Sequence, residues 1–228
     1  YNVDTIYLDF AKAFDKVDHG IVLEKLSLLG INGKVLSWIK SFLLARSQYV
    51  LVNGFLSDPC EVTSGVPQGS VIGPLLFLIL IGDIDIEVKN SFLSSFADDT
   101  RVGKGISDET DSLHLQIDLK AIYKWAENNN MNFNNTKFEL LRYGYISDLK
   151  QKTCYYDPDG IPIPEKDNVR DLGVIMSNSG AFSEHINRVC QSARDMCSWI
   201  LRTFKSRSPE LMKTTWKSLV LPILDYCS

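Results

Sequence analysis

The spacing of hydrophobic and polar positions along the chain changes several times between a strand period and a helix period. Residues 3–10 alternate loosely and are rich in β-formers, so we predict a strand that ends at Asp9. Residues 47–62 form two strand-like arms around the turn pair Asn53-Gly54, which predicts a β-hairpin. Residues 91–97 and 100–104 predict two further short strands around the pair Asp98-Asp99.

Other stretches show the spacing of amphipathic or buried helices. A helical stretch is expected to stop at Gly30, and the next one carries apolar residues at Val35, Ile39 and Phe42. Residues 71–82 are almost entirely apolar and predict a buried helix. A long helix is predicted after Ser107, which we interpret as its N-cap.

The last part of the chain is predicted to contain strands and then helices. Residues 137–144 and 169–176 are interpreted as strands, and the pattern becomes fully helical from Ser183. Apolar residues lie three or four positions apart in this helix and form one stripe: Ile186, Val189, Ala193, Met196, Ile200 and Phe204. A second helix is expected after Ser208-Pro209. Strands and helices that do not alternate regularly favour the α+β class.

Composition narrows the class of protein without identifying it. The chain has 228 residues, 45% of them hydrophobic, which is enough for one large domain or for a compact domain with an appendage. Its five cysteines form no CxxC pair, so zinc is not expected and a reducing, intracellular compartment is favoured. The longest apolar run is too short to cross a bilayer, so no membrane association is expected. The chain begins without Met, and we interpret it as a piece of a longer polypeptide.

Charge is unevenly distributed along the chain. The formal net charge is −4, yet residues 188–217 carry seven basic residues against two acidic ones. Such a segment is compatible with phosphate contact, and it is equally compatible with a solvated helix face. The candidate phosphate-binding residues are Arg194, Arg202, Lys205 and Arg207.

Two adjacent aspartates mark a possible centre of chemistry. Asp98 and Asp99 lie where one predicted strand turns into the next, and Asp9 ends another strand. If these strands are neighbours, three carboxylates meet at one end of a sheet, where they would resist ionisation without a cation. Magnesium prefers such oxygen ligands. The plainer alternative is turn chemistry, since Asp is common in turns.

A glycine-rich stretch, SGVPQGS at residues 64–70, precedes the buried helix. Its glycines would let the backbone and Gln68 approach a flat ligand closely. An ordinary loop that enters a helix explains the same composition.

Five segments in fixed order together resemble the reverse transcriptases. They are YLDFAKAFDKVDH (7–19), SGVPQGSVIGPLLF (64–77), FADD (96–99), WAENNNMNFNNTKFE (125–139) and LGV (172–174). The residues of these motifs are most similar to those in the polymerases of non-LTR, LINE-like retrotransposons. The resemblance spans about residues 3–175 and continues more loosely into the C-terminal helices.

The resemblance implies an RNA-directed DNA polymerase that adds dNTP to a primer 3′-hydroxyl by a two-metal mechanism. Asp9, Asp98 and Asp99 match the catalytic, metal-binding carboxylates of the family, and Phe10 would offer a backbone carbonyl to the metal. The cofactor would be two Mg²⁺ ions, with Mn²⁺ as a possible substitute. The partners would be an RNA template and a DNA primer, in the cytoplasm and the nucleus.

Further residues match the substrate-binding and primer-binding positions of the family. Phe14 matches the bulky residue that excludes a 2′-hydroxyl, although core packing explains it as well. The loop residues Pro67, Gln68 and Gly69 match the loop beside the incoming nucleotide. Lys137 matches a lysine that approaches the triphosphate, and the pair Leu172 and Gly173 matches a turn that steadies the primer end.

The resemblance also implies a domain organisation. Residues 1–175 would form a palm with partial fingers, in which helices cover a ferredoxin-like antiparallel sheet, and residues 176–228 would form a truncated helical thumb. Only eight residues precede Asp9, so the basic fingers segment of the family is expected to lie outside this chain. Two alternatives remain: an inactive or co-opted fragment that binds RNA or a partner without catalysis, and a palm-like nucleotidyl cyclase.

Overall fold

We describe residues 2–144 and 153–227 of a computed structural model. Contacts within these ranges divide the chain into two compact units. The first unit runs through Leu140 and includes the described residues up to Glu165, while the second comprises Leu141–Gly144 and the described residues from Lys166 onward. The ten residues between this division and the sequence-based boundary at 175 belong with the C-terminal helices. The identity of the two parts as palm and thumb stays a prediction.

The first unit is an α+β structure, as the pattern of strands and helices predicts. Within the described residues, a five-stranded sheet has the order β6-β7-β1-β8-β9. Its strands are β1 (Asn2–Leu8), β6 (Phe92–Phe96), β7 (Asp99–Ile106), β8 (Glu139–Tyr143) and β9 (Glu165–Lys166). The end of β8 and the second residue of β9 are counted with the second unit.

Helices cover this sheet and form the core with it. They are α1 (His19–Leu28), α2 (Gly33–Leu43), α3 (Ile72–Ile81) and α4 (Glu109–Asn128). Leu115, Leu119 and Ile122 of α4 are fully buried, in register with the apolar stripe that the sequence predicts. Helix α3 buries Leu76, Phe77 and Leu80 and spans ten residues. Among the described helices, none is both long and apolar enough to cross a membrane.

The predicted hairpin around Asn53-Gly54 is confirmed. Strand β3 (Leu51–Val52) pairs with β4 (Phe55–Leu56), and β2 (Arg46–Gln48) pairs with β5 (Cys60–Val62). Asn53 and Gly54 have φ values of 50° and 84°, which a two-residue type I′ turn requires.

Two local predictions about the helices of this unit were wrong. The N-cap of α4 is Asp108, whose side chain accepts from the Asp111 amide at 3.0 Å, because the helix begins one residue later than Ser107 implied. Val35 on α2 is 58% exposed, while the buried face of that helix is formed by Ile39 and Leu43.

The second unit joins a hairpin to a group of helices. Strands β10 (Asn168–Asp171) and β11 (Val174–Ser177) form an antiparallel pair, and the helices that follow are α5 (Ser183–Thr203), α6 (Pro209–Thr215) and α7 (Leu221–Asp225). A π-helical segment, Trp216–Val220, connects the last two. The helix expected after Ser208-Pro209 is present as α6, and the Ser208 side chain caps it by accepting from the Leu211 amide.

Helix α5 buries its apolar face against the end of the chain. Ala193 and Ile200 pack with Val220, and the helix also contacts α7 and β11. Ile186, which the sequence pattern places in the same stripe, is 56% exposed because the packed part of the helix lies toward its C-terminal half. Residues 169–176, interpreted from sequence as one strand, are divided between β10 and β11 by a turn at Leu172-Gly173.

Candidate active site

The pairing of β1 with β7 places Asp9 beside the turn that carries the adjacent aspartates. The two strands are antiparallel, and their last pair is Leu8 with Thr100. Asp9 follows this pair directly on β1, and Asp99 precedes it on β7. The three aspartates therefore lie at the same end of the sheet. This is the arrangement that we expected from their positions at strand ends.

The turn between β6 and β7 is tight and conformationally unusual. Phe96 pairs with Asp99, so Ala97 and Asp98 form a two-residue loop. Ala97 adopts a φ of 52°, a left-handed conformation that non-glycine residues seldom take. Backbone strain of this kind is concentrated at functional sites and turns. Asp98 is half-buried at this turn, whereas Asp99 is exposed.

The three aspartates share one end of the sheet without forming a set of metal ligands. Within residues 2–144 and 153–227, no three His, Cys, Asp or Glu side chains lie grouped together, as placed, in the manner of a metal site. The ammonium of Lys137 lies 3.0 Å from Oδ2 of Asp9, so a cationic side chain already neighbours this carboxylate. The role of these aspartates as metal ligands stays a prediction.

Residues 9–11 are held from one side by the segment that follows α4. The Asn134 amide donates to the Asp9 carbonyl at 2.8 Å, and the Ala11 amide donates to the Asn132 carbonyl at 2.8 Å. Between them, the buried ring of Phe10 stacks on Phe133 with centroids 4.4 Å apart. The backbone of Phe10, which the resemblance assigns to a metal, is therefore fixed by its own side chain and by its neighbours.

Asp18 extends this attachment to the start of α1. Its Oδ1 caps the helix by accepting from the Ile21 amide, and its Oδ2 accepts from the Asn130 side chain at 2.9 Å. Burial raises the pKa of Asp18, but these hydrogen bonds to the carboxylate outweigh burial, so its pKa lies below the ordinary value. The ionised form of Asp18 therefore ties the helix to the segment after α4.

The glycine-rich stretch, hereafter the Gln68 loop (residues 64–70), forms backbone hydrogen bonds with residues 14–17, which precede α1. The Val66 amide donates to the Phe14 carbonyl at 2.9 Å, and the Gly65 amide donates to the Val17 carbonyl at 2.8 Å. Gln68 is exposed, and its Nε2 donates to Oδ1 of Asp15 at 3.1 Å. Asp15 thus contacts a predicted substrate residue.

The other predicted substrate residues occupy different environments. Phe14 is half-buried on a short 3₁₀ helix (Ala13–Asp15), and its ring packs on Phe77 of α3 with centroids 4.7 Å apart. The Pro67 carbonyl accepts from the Ser70 hydroxyl at 2.6 Å. Gly69 is exposed with a φ of 79°, a conformation that favours glycine. Their part in substrate binding stays a prediction.

The predicted primer residues belong to the second unit. Leu172 and Gly173 have φ values of 45° and 89° and form the two-residue turn between β10 and β11. The Tyr226 hydroxyl donates to the Leu172 carbonyl at 2.8 Å. A Cβ on Gly173 would lie 3.1 Å from the Tyr226 ring, so a tyrosine near the end of the described chain covers this turn.

The predicted phosphate-binding residues lie at and beyond the C-terminal half of α5, and all of them are exposed. Arg202 donates from Nε to the Ser198 carbonyl, and Arg207 donates from Nη2 to the Leu201 carbonyl at 2.7 Å. Both bonds are to backbone carbonyls, so the guanidinium charges have no acidic partner in these bonds. Arg194 lies on the helix, and Lys205 follows its end.

Sequence reasoning missed two residues that meet the Gln68 loop. His19 Nε2 lies 2.8 Å from the Gly65 carbonyl, and Arg46 Nη2 donates to the same oxygen at 2.7 Å. His19 lies within the segment that resembles the family, but the sequence alone assigns no chemistry to it. Arg46 stands alone in a hairpin arm and leaves no periodic signal.

Comparison with known proteins identifies the family. The model of the family described as reverse transcriptase (RNA-dependent DNA polymerase) matches residues 5–176. The chain belongs to the reverse transcriptase family, and the expected resemblance to the reverse transcriptase domains of LINE-like retrotransposons is confirmed.

Its curated relatives are polymerases of mobile elements. The chain is 29% identical over 234 residues to the RNA-directed DNA polymerase from mobile element jockey of Drosophila melanogaster. The matched region covers 96% of this chain and 25% of that protein. It is 27% identical to the probable RNA-directed DNA polymerase from transposon X-element of the same organism, over 98% of this chain and 25% of that protein. The chain thus spans about a quarter of the length of these relatives.

Solved structures show the same fold at low sequence identity. The apo telomerase from Candida tropicalis, truncated from its C-terminal domain, superimposes with a TM-score of 0.56 at 12% identity, covering 77% of this chain and 34% of that one. The telomerase of the same organism in complex with a TWJ fragment of telomeric RNA gives a TM-score of 0.55 at 13% identity, covering 98% and 39%. The mixed helix and sheet content of the chain is that of a reverse transcriptase fold.

Proposed function

We propose that this chain supplies the catalytic core of an RNA-directed DNA polymerase. In this reaction a primer 3′-hydroxyl attacks the α-phosphate of a dNTP, and pyrophosphate leaves. The observation that carries the proposal is the β1–β7 register, which brings Asp9 to the turn that bears Asp98 and Asp99. A chain of the reverse transcriptase family with aspartates at this place has the groups that such a reaction needs.

We infer the division of labour along the chain from the same comparison. Residues 1–175 would act as the palm with partial fingers, and residues 176–228 as the thumb. The sheet with helices against it supports the first part, and the compact helical unit around α5 supports the second. The hairpin β10–β11 packs with that helical unit and would present the primer turn from there.

The donor chemistry at the sheet end fits a divalent cation. Carboxylate and carbonyl oxygens are the ligands that Mg²⁺ or Mn²⁺ prefers, and Asp9, Asp98 and Asp99, with the carbonyl of Phe10, would hold it. Two such ions would supply charge neutralisation at the reacting phosphate. For these side chains to act as ligands, the carboxylate of Asp9 has to exchange its contact with Lys137.

Other residues of the chain would position the substrate around this centre. Phe14 would lie beneath the sugar and exclude a 2′-hydroxyl, since its ring is held against Phe77 and is only half-buried. Gln68, fixed by Asp15 and flanked by Pro67 and Gly69, would contact the incoming nucleotide or the template. Lys137, 63% exposed, would reach a triphosphate oxygen.

We further propose that an RNA template and a DNA primer are the partners. The family and the α5 segment, with its exposed arginines, support contact with a nucleic-acid backbone. Leu172 and Gly173 would steady the primer end from a rigid turn. A polymerase that uses an RNA template and a DNA primer would act in the cytoplasm and the nucleus.

Primer extension tests the proposal. The protein is expressed from the complete reading frame that contains residues 1–228 and is supplied with an RNA template, an annealed DNA primer, dNTPs and Mg²⁺. The proposal expects template-directed extension that requires the primer. Binding to the duplex without extension would support the co-opted fragment instead, and a cyclic product from one triphosphate without primer would support the cyclase.

A further inference from the structure

One buried histidine of the first unit makes a contact that the mechanism above does not use. His19 is 5% exposed at the first position of α1, and its Nε2 lies 2.8 Å from the Gly65 carbonyl. The guanidinium of Arg46 donates to the same carbonyl through Nη2 at 2.7 Å and to the Leu43 carbonyl through Nε at 2.8 Å. Because a carbonyl oxygen only accepts, we assign the proton to His19 Nε2, from which Arg46 Nη2 lies 3.4 Å away. The two donors then occupy both lone pairs of the Gly65 carbonyl oxygen.

The position of Gly65 explains why two donors meet there. Its φ is 84°, and a Cβ at this residue would lie 2.8 Å from the Asp15 carbonyl oxygen. The backbone of the Gln68 loop therefore rests directly on the backbone of the 3₁₀ helix, at a separation that only glycine permits. The amides of Gly65 and Val66 donate to that same segment. Hydrogen bonds thus hold Gly65 through both its amide and its carbonyl.

The fixed glycine sets the place of Gln68. Gln68 lies three positions after Gly65, and its side chain returns to Asp15, the residue on which Gly65 rests. Phe14 lies next to Asp15 on the same short helix and receives the Val66 amide at its carbonyl. The carbonyl that His19 contacts therefore belongs to a residue whose neighbours in the chain bond directly to Phe14 and Asp15.

We propose that His19, together with Arg46, is a positioning residue for nucleotide binding, which acts through the Gly65 carbonyl on the Gln68 loop. This inference rests on the proposed polymerase function. The plainer view is a core histidine whose hydrogen bond only stabilises the fold. The two views differ in what happens to the Gln68 loop and to the dNTP when the donor is removed and then restored.

Three variants separate these views. His19→Ala removes the donor, whereas His19→Gln keeps a side-chain N–H donor at a place similar to that of Nε2. The matched control is Tyr155→Phe, which deletes a buried hydroxyl that donates to Asp4 at 2.7 Å in the same unit, away from the Gln68 loop. Should His19→Ala fail to fold, Arg46→Met removes the second donor to the same carbonyl and replaces it in the series.

Hydrogen exchange on residues 1–228 measures the loop directly. In His19→Ala the Gly65 and Val66 amides should exchange about tenfold faster than in the parent, because local opening becomes easier, while the amides of β1 keep their protection. His19→Gln should exchange as the parent does, and Tyr155→Phe should leave these two amides unchanged. Equal exchange in parent and His19→Ala would overturn the proposal.

Primer extension measures the consequence for the nucleotide, with the protein from the complete reading frame. His19→Ala should raise the KM for dNTP about tenfold with kcat changed less than about twofold, and His19→Gln should restore KM. An unchanged KM in a folded His19→Ala variant would overturn the positioning role. A parent that extends no primer would contradict the proposed function and the nucleotide part of this inference, while hydrogen exchange would still decide whether His19 holds the loop.

Discussion

The ammonium of Lys137 lies 3.0 Å from Oδ2 of Asp9, which joins two residues that the sequence assigns to different tasks. Asp9 directly follows β1, and Lys137 lies on a short 3₁₀ helix (Asn135–Lys137) before β8. The backbone bonds of residues 9–11 to residues 132–134 bring the two segments together. A cation beside Asp9 offsets charge repulsion between the carboxylates at this end of the sheet.

Replacement of Lys137 should affect catalysis much more than stability. The Lys137 side chain is 63% exposed, so Lys137→Met should change the free energy of unfolding by less than about 1 kcal/mol. Loss of a charged hydrogen bond to the triphosphate should lower kcat/KM for dNTP by roughly ten- to a hundredfold. Melting curves and steady-state extension measure the two effects. Lys120→Met, at an exposed position of α4, serves as the control, and an equal loss in both variants would contradict the assignment.

Phe14→Val should admit ribonucleotides. The smaller side chain leaves room for a 2′-hydroxyl, so the ratio of rNTP to dNTP incorporation should rise about tenfold or more, since steric exclusion acts on the competing substrate. The matched control is Phe77→Leu, which disturbs the same ring contact from the side of α3. If both variants discriminate as the parent does, Phe14 is part of the core and not a sugar gate.

Asp118 should make stability depend on acid pH. This 1% exposed carboxylate of α4 accepts from the amides of Lys89 and Asn90, at 3.2 and 2.8 Å. Burial raises the pKa of Asp118, but these hydrogen bonds outweigh burial and hold its pKa below the ordinary 3.8. Because the folded-state pKa is the lower one, the stabilisation is present above pH about 4 and is lost as the pH falls through the folded-state value.

The corresponding variant is Asp118→Asn. It should lose about 1–3 kcal/mol at neutral pH, because the amides of Lys89 and Asn90 lose a charged acceptor. Its stability should also fall less steeply than that of the parent below pH about 4. Urea unfolding between pH 2 and 7 measures both effects. The exposed Asp85→Asn should keep the acid slope of the parent, and an Asp118→Asn variant with that same slope would refute the account.

The exposed basic residues at the end of α5 should contribute to duplex binding through salt-dependent interactions. Removal of one phosphate-binding side chain should flatten the log–log salt dependence of affinity by roughly 0.9 on a B-form DNA duplex. Arg202→Ala with Lys205→Ala should therefore flatten the slope and weaken all sequences about equally, since interactions with the phosphate backbone carry no sequence information. Lys34→Ala with Lys40→Ala on α2 removes the same charge elsewhere. Equal slopes for the two double variants would show a merely solvated helix face.

Periodic features of the fold were predictable from the sequence, whereas contacts between distant loops were not. The apolar stripe of α4 and the Asn53-Gly54 turn follow from local spacing and turn chemistry, and the structure contains both. The strand-end positions of Asp9 and the adjacent aspartates predict that they share one end of the sheet if their strands are neighbours, and β1 does pair with β7. Each of these signals is local, because it is contained within one helix, one turn or one strand end.

The contact of His19 with Gly65 and the ion pair of Lys137 with Asp9 left no such signal. Both join segments far apart in sequence through single side chains in loops or at element ends, where no period exists. Ile186 illustrates a different error of pattern-based prediction. Its spacing fits the apolar stripe of α5, but the residues that pack on this helix do not extend to Ile186, which stays exposed. Pattern predicts which face is apolar, and packing decides how far along the helix it is covered.

The most direct test of the central claim is RNA-templated extension by Asp98→Asn, with Asp85→Asn as a variant of equal charge change. Both proteins should melt near the parent temperature and bind duplex alike. Asp98→Asn removes charge repulsion at the sheet end and no packing, and Asp85 is exposed. The account predicts that Asp98→Asn extends no primer while Asp85→Asn extends at the parent rate. Extension by Asp98→Asn near the parent rate would contradict it.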